Sequence, residues 1–329
     1  MSKAVALFSA GLDSILAVKI AQEEGISVTT LHFLVPFIQG KALDTCEKAV
    51  KKWASFLGVD LEIAPLGQEY LEIVKTPRYG YGKNLNPCID CKMFMLKKAK
   101  EVMQKKGASF IVTGEVVGQR PKSQNKSIFA MMDKCSGLEG KVLRPLSAKI
   151  LPPTYAESEK IVNRDKLYDI YGRGRTLQIK LAKKFGIEEY PQPAGGCLLT
   201  DASFCSRVED LLTHNELNMD NVQLLKLGRH FRFSPSFKFV VGRDEAENNQ
   251  LQEFLKEDDL YFEPQDLAGP SGLGRGRVCQ DVKILAAQII AKYTSSQEEE
   301  VRIKVSTDSS QKIIKVRVIS AGKLKQLII

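Results

Sequence analysis

Short apolar runs alternate with longer amphipathic segments through the first half of the chain. Four of the apolar runs have the length of a strand: residues 4–8, 27–33, 59–64 and 109–113. Three amphipathic segments have helical spacing, and each ends just before a glycine: residues 15–24, 41–57 and 92–106. Strands separated by helices of this length predict an α/β domain, in which a parallel sheet carries helices on both faces.

The pattern changes after about residue 201. Residues 224–241 are rich in aromatic and basic side chains, residues 269–276 form a predicted glycine-rich loop, and residues 301–329 have the pattern of paired strands. This change predicts a second, smaller domain of the α+β class. We therefore expect two domains, residues 1–205 and residues 206–329.

Charge and cysteine content narrow the cellular setting. Of 329 residues, 48 are Lys or Arg and 39 are Asp or Glu, which gives a net charge of +9. This excess favours a polyanionic partner, although it also suits an ordinary soluble surface. The first apolar run is too short for a signal or a membrane span, because Gly11 and Asp13 interrupt it. We expect a cytoplasmic protein, in which seven irregularly spaced cysteines do not form a disulfide framework.

The turn after the first predicted strand has the composition of a phosphate-binding loop. It consists of Ser9, Ala10, Gly11, Leu12, Asp13 and Ser14. Small residues before a helix expose backbone N–H groups at the positive end of the helix dipole, where phosphate oxygens bind. The loop lacks the lysine of the Walker pattern, which argues against an ordinary nucleotide triphosphatase. A plain strand-to-helix turn is the alternative interpretation.

Three cysteines lie in sequence surroundings that are typical of metal-binding or reactive thiols. Cys88 and Cys91 lie immediately before a predicted helix, where a thiolate is stabilised, and Cys197 lies in a glycine loop. A structural zinc site requires a fourth ligand, which the pattern does not supply. Three thiolates suit a [4Fe-4S] cluster with one open iron, or a persulfide relay, while buried cysteines without chemistry are the alternative. The remaining cysteines are predicted to be small core residues: Cys46, Cys135, Cys205 and Cys279.

The first loop resembles the S-G-G-x-D-S signature of the PP-loop ATP pyrophosphatases, with Ala10 in place of a glycine. The resemblance implies that residues 9–14 bind the pyrophosphate of ATP. It also implies that Asp13 holds Mg²⁺, and that Ser9 and Ser14 donate hydroxyl hydrogen bonds. The adenine is expected against the end of the second strand, at His32 and Phe33. His32 is also interpreted as a packed core histidine.

Further motifs resemble the tRNA 4-thiouridine synthases. The matching elements are T-G-E-V-V-G-Q at residues 113–119, Ser123-Gln124, and L-R-P-L at residues 143–146. The resemblance implies that Gly114 and Gln119 lie near the nucleotide. It implies that Cys88, Cys91 and Cys197 carry the sulfur chemistry and act as cluster ligands. The related 2-thiouridine synthases also pair an N-P-C-x-x-C element with a later cysteine.

The 4-thiouridine synthases carry an amino-terminal THUMP domain for tRNA, whereas the loop here begins near residue 9. RNA recognition is therefore expected from the later region, which is similar to the RNA-binding domain of the NFACT proteins. Basic residues alternate there with aromatic ones, and both kinds are candidates for RNA contact: Arg229, Arg232, Lys238 and Arg243 with Phe231, Phe233 and Phe237. An ordinary sheet with inward aromatics is the alternative.

Together these resemblances imply a cytoplasmic, ATP-dependent tRNA sulfurtransferase that adenylates a uridine carbonyl and replaces its oxygen with sulfur. The expected cofactors are ATP, Mg²⁺ and a [4Fe-4S] cluster. The expected partners are tRNA and a sulfide or persulfide donor, with no membrane and with a homodimer left open. Two other functions remain open at this point: a PP-loop ligase that forms an amide or amine on RNA, and a non-catalytic RNA-binding factor.

Overall fold

The computed structural model describes residues 2–38, 40–190, 197–294, 299–320, 322, 324 and 326–329, and gives only the backbone of residues 40–46. The chain folds into two compact units, Met1–Thr200 and Asp201–Ile329. The predicted boundary at residues 205 and 206 falls within a helix of the second unit. Among the helices in the described ranges, none is long and apolar enough to cross a membrane.

The first unit is built on a parallel sheet. Its elements, in chain order, are β1 (Lys3–Leu7), α1 (Leu12–Glu23), β2 (Ser27–Leu34), α2 (Gly40–Leu57), β3 (Asp60–Pro65), α3 (Gln68–Lys75), α4 (Cys88–Lys105), β4 (Phe110–Thr113), α5 (Lys126–Cys135), β5 (Val142–Leu143), α6 (Tyr155–Ser158) and α7 (Thr176–Lys184). The strand order is β3-β2-β1-β4-β5, and every pair is parallel. The predicted α/β class is confirmed.

The central position of β1 determines where the candidate loops meet. Leu7 pairs with Leu31 of β2 on one side and with Thr113 of β4 on the other. The loops that follow β1, β2 and β4 therefore leave the sheet at one edge, the carboxyl edge. Ile15 and Leu16 of α1 are fully buried in the main core, so this helix is fixed against the sheet.

The second unit is a smaller antiparallel domain. Its elements are α8 (Ala202–Thr213), α9 (Met219–Leu224), β6 (Arg229–Ser234), β7 (Phe237–Val241), α10 (Glu245–Glu253), β8 (Leu260–Pro264), β9 (Gly272–Gly276), α11 (Gln280–Lys292), β10 (Glu300–Ser306) and β11 (Gln311–Arg317). The strand order is β11-β10-β8-β9-β7-β6. Helix α11 packs its buried residues on this sheet. The predicted α+β class of the second domain is confirmed.

Within the predicted glycine-rich loop, residues 269–276, the last five residues are a strand. Strand β9 pairs with β7 and β8 in the interior of the sheet. A Cβ at Gly272 would lie 2.5 Å from the Phe239 ring, and a Cβ at Gly274 would lie 2.5 Å from the Phe237 ring. The glycines are therefore required because aromatic rings occupy the space that their side chains would fill.

Candidate active site at the carboxyl edge of the parallel sheet

The first loop folds around its own hydroxyl groups. Ser14 Oγ donates to Gly11 O over 2.8 Å, and it lies 3.3 Å from Ser9 N, which donates to it. Helix α1 begins directly after Gly11, and no side chain caps its first turn. The first amides of this helix are thus available to an anion, as a phosphate-binding loop requires.

The alanine that departs from the S-G-G pattern occupies a glycine-like conformation. Ala10 has φ of 56°, in the left-handed region, and its side chain is buried. This conformation costs an L-residue about 1 kcal/mol relative to glycine. Ala10 therefore has a backbone conformation that a glycine at this position would adopt without strain.

The loop after β4 contacts the first loop directly. A Cβ at Gly114 would lie 2.5 Å from Asp13 C and 2.6 Å from Ser14 N, so only glycine fits between the two backbones. Gln119 Nε2 donates to Asp13 Oδ2 over 2.8 Å. The structure thus brings together three residues that the motifs assign to the nucleotide site.

Asp13 retains one oxygen for a ligand. Its Oδ1 atom is shielded from solvent and has no hydrogen-bond partner among the described residues. A buried carboxylate oxygen without a partner is costly, and a divalent cation is a strong way to satisfy it. The donor chemistry therefore fits Mg²⁺, which the resemblance to the PP-loop ATP pyrophosphatases implies at Asp13.

A buried ion-pair network holds the loop after β4 in place. Glu115 pairs with Lys92 at 2.6 Å and with Arg144 at 3.1 Å, and Arg144 also binds Asp133 with two 2.8 Å hydrogen bonds. Burial alone would raise the pKa of Glu115, but Lys92 and Arg144 outweigh burial and lower that pKa to about 2. Glu115 and Arg144, from separate motifs, therefore pair with each other.

Two of the predicted sulfur-site cysteines lie in the first turn of α4. This helix begins at Cys88, four residues before the predicted start at Lys92. Cys88 Sγ donates to Asn86 Oδ1 over 2.6 Å, and Tyr70 Oη donates to Cys91 Sγ over 3.3 Å. Because Lys92 follows Cys91 and pairs with Glu115, the cysteine helix is joined to the loop that contacts Asp13.

The fold also brings the third cysteine to this place. Leu198 N donates to Phe37 O over 2.9 Å, and the Phe37 ring lies 6.2 Å from the Tyr70 ring. Burial raises the pKa of Tyr70 well above its usual range, and the Cys91, Cys197 and Cys88 thiols raise it further. The three thiols therefore all act electrostatically on one hydroxyl group.

The electrostatics of Cys91 differ from the prediction of a stabilised thiolate. Burial raises the pKa of the Cys91 thiol to about 11, and the nearby Cys88 raises it further, against the hydrogen bond from Tyr70. In the conformation described, Cys91 is a protonated thiol at neutral pH.

The cysteine site has the donor atoms that a cluster needs, but its side chains are not in a ligand geometry. Within the described ranges, no group of three or more His, Cys, Asp or Glu side chains is positioned as metal ligands. The described cysteines form no disulfide. Three converging thiols match the donor set of a [4Fe-4S] cluster, but Cys88 and Cys91 are directed to Asn86 and Tyr70 instead.

The proposed adenine residues are packed at the end of β2. His32 is buried, and its Nδ1 donates to Phe8 O over 2.8 Å. Burial lowers the pKa of His32, so the ring is neutral at physiological pH. The packed-histidine interpretation is confirmed, and Phe33 is also buried at 7% exposure.

The other cysteines divide into two kinds. Cys205 is buried, as predicted for a core residue. Cys135 and Cys279 are exposed, so their prediction as core residues is wrong. Cys135 ends an amphipathic helix, and Cys279 precedes another, on the side of the chain that faces solvent. The side chain of Cys46 lies outside the described residues.

The segment predicted to stack on RNA is the interior of a sheet. Phe231 and Phe237 are fully buried, which excludes them from base stacking in the folded protein. Arg232 and Lys238 both pair with the Asp210 carboxylate, at 2.7 and 2.9 Å. The alternative of inward aromatics is confirmed for these two rings. The other three candidate residues also make contacts within the protein. Phe233 packs on the same core, Arg243 pairs with Glu247, and the Arg229 guanidinium lies over the Tyr293 ring.

Three residues of the site were not found from the sequence. Tyr70 donates a hydrogen bond to Cys91, Lys92 links the two halves of the site, and the Asp90 carboxylate accepts 3.1 Å hydrogen bonds from the amides of Arg78 and Tyr79. Asp90 stands inside the C-I-D-C element, at a helix start where an acidic residue is favourable. Asp90 could therefore have been predicted as a site residue from its position in the sequence. The role of Tyr70 could not, because it depends on tertiary contacts.

Two family models match the chain, one in each unit. Residues 1–162 match the model described as Thiamine biosynthesis protein (ThiI), and residues 228–328 match the NFACT protein RNA binding domain. Each match covers less than half of the chain, and the two regions are named below after the models that they match, as the ThiI domain and the NFACT RNA-binding domain. The ThiI domain contains the Asp13–Gln119 contact and the first two cysteines of the sulfur site.

Curated relatives of the ThiI domain share a name. A probable tRNA sulfurtransferase of Methanothermobacter thermautotrophicus is 29% identical over 170 residues, which are 51% of this chain and 41% of that protein. One from Methanosarcina mazei is 29% identical over 124 residues, 36% of this chain and 29% of that protein. The chain therefore spans less than half the length of these relatives.

A solved complex of a 4-thiouridine synthetase with RNA and bound ATP is similar over 68% of this chain and 52% of its own. Its sequence identity is 18% and its TM-score is 0.36, and a likeness at that level carries no inference about this chain.

Proposed function

We propose that this chain is an ATP-dependent tRNA sulfurtransferase, which adenylates a uridine carbonyl and replaces its oxygen with sulfur. The observation that carries the proposal is the Lys92–Glu115 ion pair, because it joins the start of the cysteine helix to the loop that packs against Asp13. The ThiI match and relatives named probable tRNA sulfurtransferase support the same assignment.

The activation step belongs to the first loop. The uracil carbonyl oxygen attacks the α-phosphorus of ATP, the bond to the bridging oxygen breaks, and pyrophosphate leaves. Free amides at the start of α1 and the Ser9 hydroxyl bind the departing pyrophosphate, where their dipoles oppose its negative charge. Asp13 would hold Mg²⁺, which when bound would neutralise charge on the phosphates. Gln119 keeps the Asp13 carboxylate in position.

The sulfur step belongs to the three thiols. A sulfur nucleophile attacks the activated carbon, a carbon–sulfur bond forms, and the carbon–oxygen bond breaks as AMP leaves. Cys88, Cys91 and Cys197 would hold a [4Fe-4S] cluster, which when bound supplies the sulfide. Tyr70 and Asn86 hold the thiols of Cys91 and Cys88 before the cluster binds, and burial excludes water from Cys91.

RNA-dependent pyrophosphate release tests the activation step. Asp13→Ala is expected to reduce this release to below about a tenth of the wild-type rate, because it removes the carboxylate that holds the metal. Asp281→Ala is a matched control, since Asp281 is also an acidic residue in the first turn of a helix. Both changes lose a similar helix-dipole contribution, of about 0.5 kcal/mol. Normal release by Asp13→Ala would refute the nucleotide assignment.

A further inference from the structure

Two surface loops flank the Asp13–Gln119 contact. In the first, residues 118–124, Gly118 N donates to Gln124 O over 2.6 Å, which closes the loop and leaves Arg120 and Lys122 exposed. The second, residues 171–175, is joined to the first at its base, because Gly172 N donates to Val117 O over 2.8 Å. The two loops form one surface beside the nucleotide site.

The first residue of the second loop places an exposed aromatic ring against the first loop. Tyr171 is 71% exposed, more than any other large apolar side chain in the described ranges. Its ring lies against Gly118, where a Cβ would be 3.0 Å from two ring carbons. Gly118 precedes Gln119, the residue that binds Asp13, so the Tyr171 ring is held close to the adenylation site. Because the ring is exposed, it does not contribute to the hydrophobic core.

The cations of this surface are available to a ligand. Within the part of the chain that the structure describes, no salt bridge is formed by the four cations of this surface, Arg120, Lys122, Arg173 and Arg175. The exposed acidic residue nearest to Arg173 in the sequence is Asp169. The cations of the second unit differ, since Arg232 is neutralised by Asp210 and Glu216. Unpaired cations around an exposed aromatic ring are the chemistry of a single-stranded nucleic-acid contact.

We propose that the 118–124 and 171–175 loops bind the tRNA substrate and present its target nucleotide to the adenylation site. Tyr171 stacks on a base, and Lys122 and Arg173 contact phosphates. This inference rests on the proposed function, because it makes the first unit itself a tRNA-contacting unit, in addition to the region that matches the NFACT RNA-binding domain.

Charge reversal on the full-length chain tests the phosphate contacts. Lys122→Glu/Arg173→Glu is expected to weaken binding of bulk tRNA at least about tenfold, and to reduce the slope of log affinity against log salt by about 2. Lys3→Glu/Lys105→Glu makes the same change in net charge with exposed residues at the amino edge of the sheet, and it should retain affinity within about twofold. Wild-type affinity and salt slope in the first variant would overturn the proposal, as would an equal loss in the second.

Tyr171 tests the stacking contact. Tyr171→Ala is expected to weaken tRNA binding about tenfold, whereas Tyr171→Phe keeps the ring and should stay within about twofold of the wild type. Equal affinity of the alanine variant and the wild type would overturn the stacking role. If the wild type binds tRNA through these loops but never releases pyrophosphate, the RNA surface stands and the proposed function fails.

Discussion

Lys92 Nζ lies 2.6 Å from Glu115 Oε1, and this pair connects the helix of Cys88 and Cys91 to the loop that packs on Asp13. Both side chains are largely buried, and Arg144 binds the same carboxylate. Glu115 therefore fixes the distance between the sulfur site and the nucleotide site. The account predicts that disturbing either end of this connection affects activity without removing a reacting group.

Gly114→Ala tests the contact between the two loops. The added Cβ would lie within 2.6 Å of the Asp13 and Ser14 backbone, so the loops must separate. We expect a loss of stability of about 1–3 kcal/mol and at least a tenfold loss of pyrophosphate release. Gly67→Ala is the control, because a Cβ at Gly67 meets no atom within 4 Å. Thermal unfolding and pyrophosphate assays of both variants measure the difference, and equal activity would contradict the contact.

Glu115→Gln tests the ion-pair network through pH. The pKa of Glu115 is lowered from 4.5 to about 2 in the folded state, so its ionised form stabilises the fold fully above the unfolded pKa and loses this effect as pH falls towards 2. We expect the variant to be about 3 kcal/mol less stable at pH 7, because Lys92 and Arg144 lose a buried partner. Urea unfolding should show this gap narrowing below about pH 4.5.

The exposed Glu139 provides the control for this experiment, since it forms no salt bridge within the described ranges. Glu139→Gln should have wild-type stability at every pH. A constant gap between wild type and Glu115→Gln from pH 7 to pH 3 would show that the carboxylate contributes through shape and not through its charge.

The cysteines are tested by iron content and colour. Protein reconstituted without oxygen is expected to be brown, with about four irons per chain. Replacing Cys88, Cys91 or Cys197 with alanine should remove both iron and colour, because each thiolate is a ligand. Cys135→Ala and Cys279→Ala should retain both, since these two exposed cysteines are not among the three predicted ligands. Full iron binding by any variant of the first group would contradict the ligand assignment.

Local patterns were sufficient to predict the strand, loop and helix order of the first unit. The apolar run before Ser9 became β1, and the predicted helix from residue 41 to 57 became α2. The site was predicted as far as consecutive residues form it, as at residues 9–14. Tyr70 and Lys92 could not be found in this way, because their roles depend on contacts with residues more than twenty positions away.

The second unit shows where composition misleads. Gly272–Gly276 has the composition of a loop, yet it is an interior strand because Phe237 and Phe239 fill the space above its glycines. Alternating basic and aromatic residues likewise suggested an RNA surface. The pattern arises instead from a sheet whose rings face the core and two of whose cations, Arg232 and Lys238, pair with Asp210. In both cases the deciding partner lies far away in the sequence.

Thiolation of tRNA tests the central claim most directly. Reconstituted protein is incubated with tRNA, ATP, Mg²⁺ and sulfide without oxygen, and the nucleosides are then analysed by mass spectrometry. The account predicts a uridine in which one oxygen is replaced by sulfur, formed only with ATP and lost in both Asp13→Ala and Cys197→Ala. Release of pyrophosphate with no thiolated nucleoside, or thiolation that persists in Cys197→Ala, would contradict it.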